Sequence, residues 1–381
     1  MPFNKKDFIM ACFFLCLSVI LFFYPNKFEH RTERKSIRCK GLILKVDNSD
    51  IIQHGLVKTG TQDVVVKILD GPFKGKILKS TNQLLGQLDI DKIFKPGDKV
   101  LVVLSLTKDN KIFYVNAQDI YRIDIELILF LSFAFFLVVF GGWIGLRALL
   151  SFIFTVLVVW KILIPTLLNG INPIYLSVGI VIIIVTAIIF LVGGLNQKSL
   201  VAFLGSILGV ITTCILAIYA TKKAHIHGAV MPFSEPLLYS GFEYLDLTKI
   251  YIGAIFLSAS GALMDLSMDI ASSMDELVKK RPDLSFFELA LSGMTVCRYV
   301  MGTMVTTLLL AYCGEYISVL MFFMAQGVPL VNFLNFVYVA AEIIKTLVGS
   351  FGLVLTGPFT AIVGAMLLKK SSQNREKLLR V

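Results

Sequence analysis

Apolar positions come in long uninterrupted runs, and polar positions gather at their ends. Residues 8–24 (FIMACFFLCLSVILFFY) follow Lys5 and Lys6. The run is longer than a secretory signal core, and YPNKFEH after it offers no small-x-small cleavage site, so an uncleaved signal-anchor helix is expected within residues 1–30. From Ile125 onward apolar runs recur at 125–140, 146–165, 174–192, 199–220, 249–271, 289–313 and 350–368. Each approaches the ~20 residues that cross ~30 Å of hydrocarbon. With the first run they predict an α-helical polytopic bundle of about eight spans, seven of them over 124–368. A basic tail follows at 369–381.

Residues 31–123 follow a different rhythm. Short β-branched runs (IRCKGLILKV, TQDVVVKIL, KILKST, KVLVVLSL, KIFYVNAQDIYRI) alternate with turn residues such as Asp70-Gly-Pro and Lys95-Pro-Gly-Asp98. Period-two alternation between Gly, Pro, Asn and Asp predicts about five or six antiparallel strands. A segment of this kind suits a small closed barrel of the OB or SH3-like sort. Phe113 and Tyr114 are its one candidate stacking pair, so partner docking is favoured over nucleic-acid binding.

Residues 314–348 break the pattern. SVLMFFMAQ is too short to cross alone and meets Gly-Val-Pro, predicting a re-entrant or interfacial piece. Over 332–348, Asn335, Tyr338, Glu342, Lys345, Thr346 and Gly349 fall on one face, with Phe336, Val339, Ile343 and Leu347 opposite, predicting an amphipathic helix that lies in the interface or lines a cavity. Small-residue spacings, Gly205-x-x-x-Gly209 and Ala254, Ser258 and Ala262, predict close helix approach.

Composition agrees with a membrane protein. At 381 residues, 56% hydrophobic and only 16% charged, the chain lacks the polar residues to cover a soluble surface. The net charge of +10 does not indicate nucleic acid, because the basic residues sit at the ends of apolar runs. With the N-terminus inside, the short inner segments collect Lys5, Lys6, Arg147, Lys198, Lys279, Lys280, Arg281 and the tail. The short outer loops then hold Lys222, Lys223 and Lys249. Six basic residues between Lys27 and Lys40 disagree, but they belong to a long segment whose charges count less. Both termini are therefore expected in the cytoplasm and the β domain outside. The six cysteines form no C-x-x-C pair, which leaves zinc and redox-motif chemistry unsupported.

One helix carries the candidate chemistry. Ser258, Asp265, Asp269, Ser272 and Glu276 lie within about 40° of Asp265 on a helical wheel. Ionised groups in hydrocarbon are costly and mark paths or buried pairs. In the next helix Thr295, Arg298, Gly302 and Thr306 share an arc of about 80°. Arg298 is the expected ion-pair partner of Asp265 or Asp269. Two readings follow: a packing pair between helices, or, since two acids exceed one arginine, a cation site or protonatable carboxylate on a path.

Other chemistry is weaker. His225 and His227, with Glu235 and Glu243, lack metal-ligand spacing on any one element. Paired aspartates of a protease come from separate segments, whereas these two share one helix. No phosphate-binding or dinucleotide motif occurs, so no cofactor or catalytic residue is assigned.

The run SASGALMDLSMDIASS (258–273), the run EIIKTLVGSFGLVLTGP (342–358) and GWIGLR (142–147) resemble the YibE/F family of bacterial multispanning membrane proteins. The resemblance covers most of 125–368, and the β segment fits the N-terminal region that many members carry. It implies a polytopic inner or plasma membrane protein and transfers no functional residue. The leading expectation is a secondary transporter or permease of a small solute or ion. Its path would be lined by Asp265, Asp269 and Arg298, with Glu342 and Lys345 contributing. The alternative is a non-transporting scaffold whose β domain recruits an envelope partner. A homo-oligomer is compatible with either.

Overall fold

The computed structural model describes residues 5–26, 28 and 36–379, with side chains to residue 370. The fold is mostly helical, with an N-terminal curled antiparallel sheet, and it divides into two compact units. One unit comprises residues 27–136, and the other comprises the chain up to Asn26 together with everything from Leu137.

In the first unit, strands β1 (Ser36–Asp47), β2 (Ile51–His54), β3 (Val57–Ile68), β4 (Ile77–Leu85), β5 (Lys99–Leu106) and β6 (Ile112–Ile120) form one sheet of order β2-β3-β1-β5-β6, with β4 also paired to β3. All pairings are antiparallel. Alternate residues Val64, Val66 and Ile68 of β3 and Val100, Val102 and Leu104 of β5 point inward with Phe94 to make its core. The expected closed barrel is instead a half-barrel, because no strand ladder joins β4 to β6 among the described residues. A side chain bridges the gap: Ser80 Oγ donates to Val115 O at 2.9 Å and accepts from Ala117 N at 3.0 Å. Burial and the nearby Asp70 carboxylate push the Cys39 thiol up to about 11, so it packs as an inert hydrophobe.

In the second unit the principal helices are α1 (Lys5–Phe23), α2 (Ile123–Val158, which begins in the first unit), α4 (Pro173–Gly193), α5 (Gln197–Lys223), α7 (Leu247–Lys280), α8 (Phe286–Glu315) and α11 (Val337–Leu379). Shorter pieces are α3 (Ile164–Leu168), α6 (Ser234–Tyr239), α9 (Ile317–Ala325) and α10 (Leu330–Asn335). Seven helical stretches among the described residues are long and apolar enough to cross a membrane; one is the 46-residue run Ile123–Leu168. That run is broken at Gly142 (φ 54°, ψ −132°), a backbone conformation open to glycine. Just beyond it, Gly145 packs against the backbone of Leu137 with no room for a side chain. The break separates the two apolar runs read at 125–140 and 146–165.

The helix ends follow local chemistry. Asn172, Asn196 and Asp246 cap α4, α5 and α7 through their side chains, and Ser285 with Glu288 forms a reciprocal capping box at α8. The centre is built on α5, α7 and α11. Thr360 and Thr356 of α11 fill the space over Gly205 and Gly209 of α5, and Thr213 of α5 fills that over Gly352. The Gly205-x-x-x-Gly209 spacing is thus a close-packing site. Ala254 and Ser258 are not: both are exposed, and α7 makes its close approach through Gly253 against Ser177 of α4. The amphipathic helix expected over 332–348 is formed only from Val337 onward, where Tyr338, Glu342 and Lys345 share a face. Phe336 is extended (φ −66°, ψ 127°), so 332–335 end α10 while Val337 starts α11, which runs through the span expected at 350–368.

Candidate functional site

A cavity of about 680 Å³ opens at the N-terminal end of α7. Four pieces of chain wall it: Tyr251, Ala254 and Ile255 of α7; the 229–236 connection with Glu235; Glu315, Tyr316 and Val319 at the α8–α9 junction; and Tyr338, Glu342 and Lys345 of α11. The last three recur at i, i+4 and i+7, so one face of α11 supplies them.

The charges meet at Lys345. Its Nζ lies 3.4 Å from Glu342 Oε2, 3.5 Å from Glu315 Oε2 and 4.7 Å from the centre of the Tyr312 ring. Glu342 and Lys345 are largely buried, with side chains 14% and 17% exposed. Glu342 Oε2 makes no hydrogen bond although it is buried. Tyr251 OH donates to Ala341 O at 2.7 Å and fixes the α7–α11 contact beside them. Three carboxylates (Glu235, Glu315, Glu342) against one lysine leave the walls acidic. Such a surface favours a cation or a solute bearing a cationic group.

Ser258 lies nearly two turns along α7 from Tyr251 and hydrogen-bonds Tyr312 of α8 at 3.1 Å. Beyond it the same face carries Asp265 and Asp269, both exposed, then half-buried Ser272 and exposed Glu276. The expected Arg298 ion pair is not formed: among the described residues no hydrogen bond or ion pair joins Arg298 to either aspartate. The reason lies in α8, which turns Gly293 and Cys297 inward, Gly293 against Met274 and Ala361 and Cys297 against Gly357. Arg298 follows Cys297 and so faces outward, as does Thr306, whose hydroxyl bonds its own helix at Gly302 O.

A second charged cluster was not expected from the sequence. Arg147 Nη1 lies 3.2 Å from Asp7 Oδ2, with Arg147 buried and Asp7 half-buried. Phe8 stacks on Trp143 at 6.3 Å, and Phe14 meets Phe154 edge-on at 5.1 Å, so α1 is integrated into the bundle. Tyr251, Glu315 and Tyr316 were missed too. Polar groups at the ends of apolar runs were the available signal. His227 serves locally, accepting from Ala229 N. No group of three His, Cys, Asp or Glu that could hold a metal occurs among the described residues.

Residues 129–370 match the YibE/F-like protein family, and residues 41–120 match the YibE/F family N-terminal domain. The chain belongs to the YibE/F family. No curated protein and no solved structure matches it. The boundary between the two family segments falls where the sheet gives way to α2, so this YibE/F chain combines the half-barrel and the helical region described above. The cavity, the acidic face of α7 and the Asp7–Arg147 pair lie in the helical part.

Proposed function

We propose that this YibE/F protein is a secondary permease for a small cationic solute or ion in a bacterial inner or plasma membrane. Both termini would lie in the cytoplasm, with the half-barrel on the other side. The observation that carries the reading is the acidic cavity at the head of α7, from which polar groups continue along one helix face. Glu342, Glu315 and Lys345 receive the solute; Ser258 with Tyr312 marks the constriction; Asp265 and Asp269 continue the path toward the cytoplasmic end. A cavity of this volume suits a small ligand. The short helix α9 reaches its wall through Val319, the kind of broken backbone that membranes tolerate around cavities.

The test is flux in proteoliposomes under imposed Na⁺, K⁺, Mg²⁺ and proton gradients. Replacing Asp265 and Asp269 with Asn should abolish flux of the carried ion while the protein remains folded. Wild-type flux in that double variant removes the reading. Under the scaffold alternative, deleting residues 36–122 would release a stoichiometric envelope partner while the Asn variant stayed functional.

A further inference from the structure

The face of α7 that bears Asp265 and Asp269 is the one its neighbours leave open. Leu263, Leu266, Ser267 and Ile270 are buried against the bundle, whereas both aspartates are exposed. Arg298 of the neighbouring helix α8 is exposed as well, and among the described residues none of the three has a hydrogen-bonding or ionic partner. In a membrane that arrangement leaves two acids and a guanidinium on a lipid-facing surface, which is costly enough to call for cover.

The nature of the cover follows from the charges. An isologous interface must be its own complement, and this face carries both signs. Depth also agrees. α7 and α8 are joined at 281–285 and pack Met274 against Gly293, so they run antiparallel. At 1.5 Å per residue Asp269 stands about 16 Å from the end of α7, and Arg298 about 18 Å from the start of α8. A two-fold axis along the membrane normal preserves depth, so only groups at matching depth can meet across it. Gly261 and Gly302, on the same two helices, have open space where a side chain would stand, unlike the threonine-filled Gly205 and Gly209. Open glycines allow two helix backbones to approach closely.

We propose that a second copy of this chain covers the α7–α8 face, with Asp269 of each copy paired to Arg298 of the other. This rests on the permease reading and deepens it: the lower path is walled by two copies, and Asp265 lies along their seam.

Association is read by photobleaching of singly labelled chains at low density in lipid bilayers. The wild type should bleach in two steps. Asp269→Arg alone and Arg298→Asp alone each place like charges at both contacts and should bleach in one step. Mixed together in two colours, the same two variants restore both contacts and should form two-colour pairs. A one-step wild type, single variants that still pair, or a mixture without two-colour pairs overturns the proposal. Cross-linking tests milder variants. With Cys12, Cys16 and Cys313 changed to Ser, a tagged D269C chain and a differently tagged R298C chain should give a mixed covalent dimer; its absence, or a different protein bound stoichiometrically in its place, overturns the proposal. A monomer that carries flux removes this proposal alone, and a dimer without flux removes the permease reading alone.

Discussion

Ser258 Oγ and Tyr312 OH lie 3.1 Å apart, and among the described residues theirs is the only side-chain hydrogen bond between α7 and α8. It stands where the cavity ends and the open acidic face begins, and the Tyr312 ring also carries Lys345 on its face. One tyrosine therefore links the cavity charges to the helix that bears the aspartates.

Tyr312→Phe should keep the ring beneath Lys345 and lose only the hydroxyl. The expected loss is about 1 kcal/mol of stability, the net worth of one hydrogen bond. Ser258→Ala should cost a similar amount, and the double variant less than the sum of the two, since both remove one interaction. Reversible unfolding of the four proteins in mixed micelles measures this coupling.

Lys345→Met leaves Glu342 buried without its counter-charge. Removing one partner of a buried pair costs about 3 kcal/mol or more. Adding Glu342→Gln should recover most of the loss, because a neutral amide no longer needs the ammonium. The same unfolding measurement applies, and equal instability of the single and double variants would exclude the pairing as the cause.

Gly209→Val drives a branched side chain into Thr356, and Gly205→Val does the same to Thr360. Overpacking of this kind costs about 1–3 kcal/mol. Thr356→Ala should partly rescue Gly209→Val and leave Gly205→Val unrescued, as seen in melting temperature.

The half-barrel carries a pH-sensitive turn. The backbone N–H of Leu85, with those of Gln87 and Gly86, holds the Asp91 carboxyl below its usual range despite some desolvation. Because the folded value lies below the unfolded one, its stabilisation is complete above the unfolded value. It is lost as pH falls through the folded value. Hydrogen exchange at Leu85–Gln87 should accelerate below about pH 4 relative to the intrinsic rate. Asp91→Asn should remove that pH dependence.

Local regularities were legible in the sequence, and meetings between distant segments were not. The acidic face of α7 follows from helical period alone, and its line from Ser258 to Glu276 needs no tertiary knowledge. The direction of Arg298 does not follow, because it is set by Gly293 and Cys297 packing inward. The wheel over 332–348 was blind to the extended residue Phe336, which divides it between two helices. It nevertheless placed Glu342 and Lys345 together. The cavity draws on 229–236, 315–319 and 338–345, which no single periodicity connects. Strand count was readable from alternation, whereas the gap left between β4 and β6, crossed by the Ser80 hydroxyl, was not.

The backbone break at Gly142 has a consequence of parity. If the run Ile123–Leu168 crosses the bilayer once, the seven candidate spans among the described residues make an odd number of passes and put Lys5 and Lys370 on opposite sides. A reversal at Gly142 makes the number even and returns both ends to one side. A single residue with positive φ would then determine which compartment every later loop faces, including the one beside the cavity. Gly142→Val would act as a topological inversion of all that follows, readable by labelling the loop near Glu235 from either side.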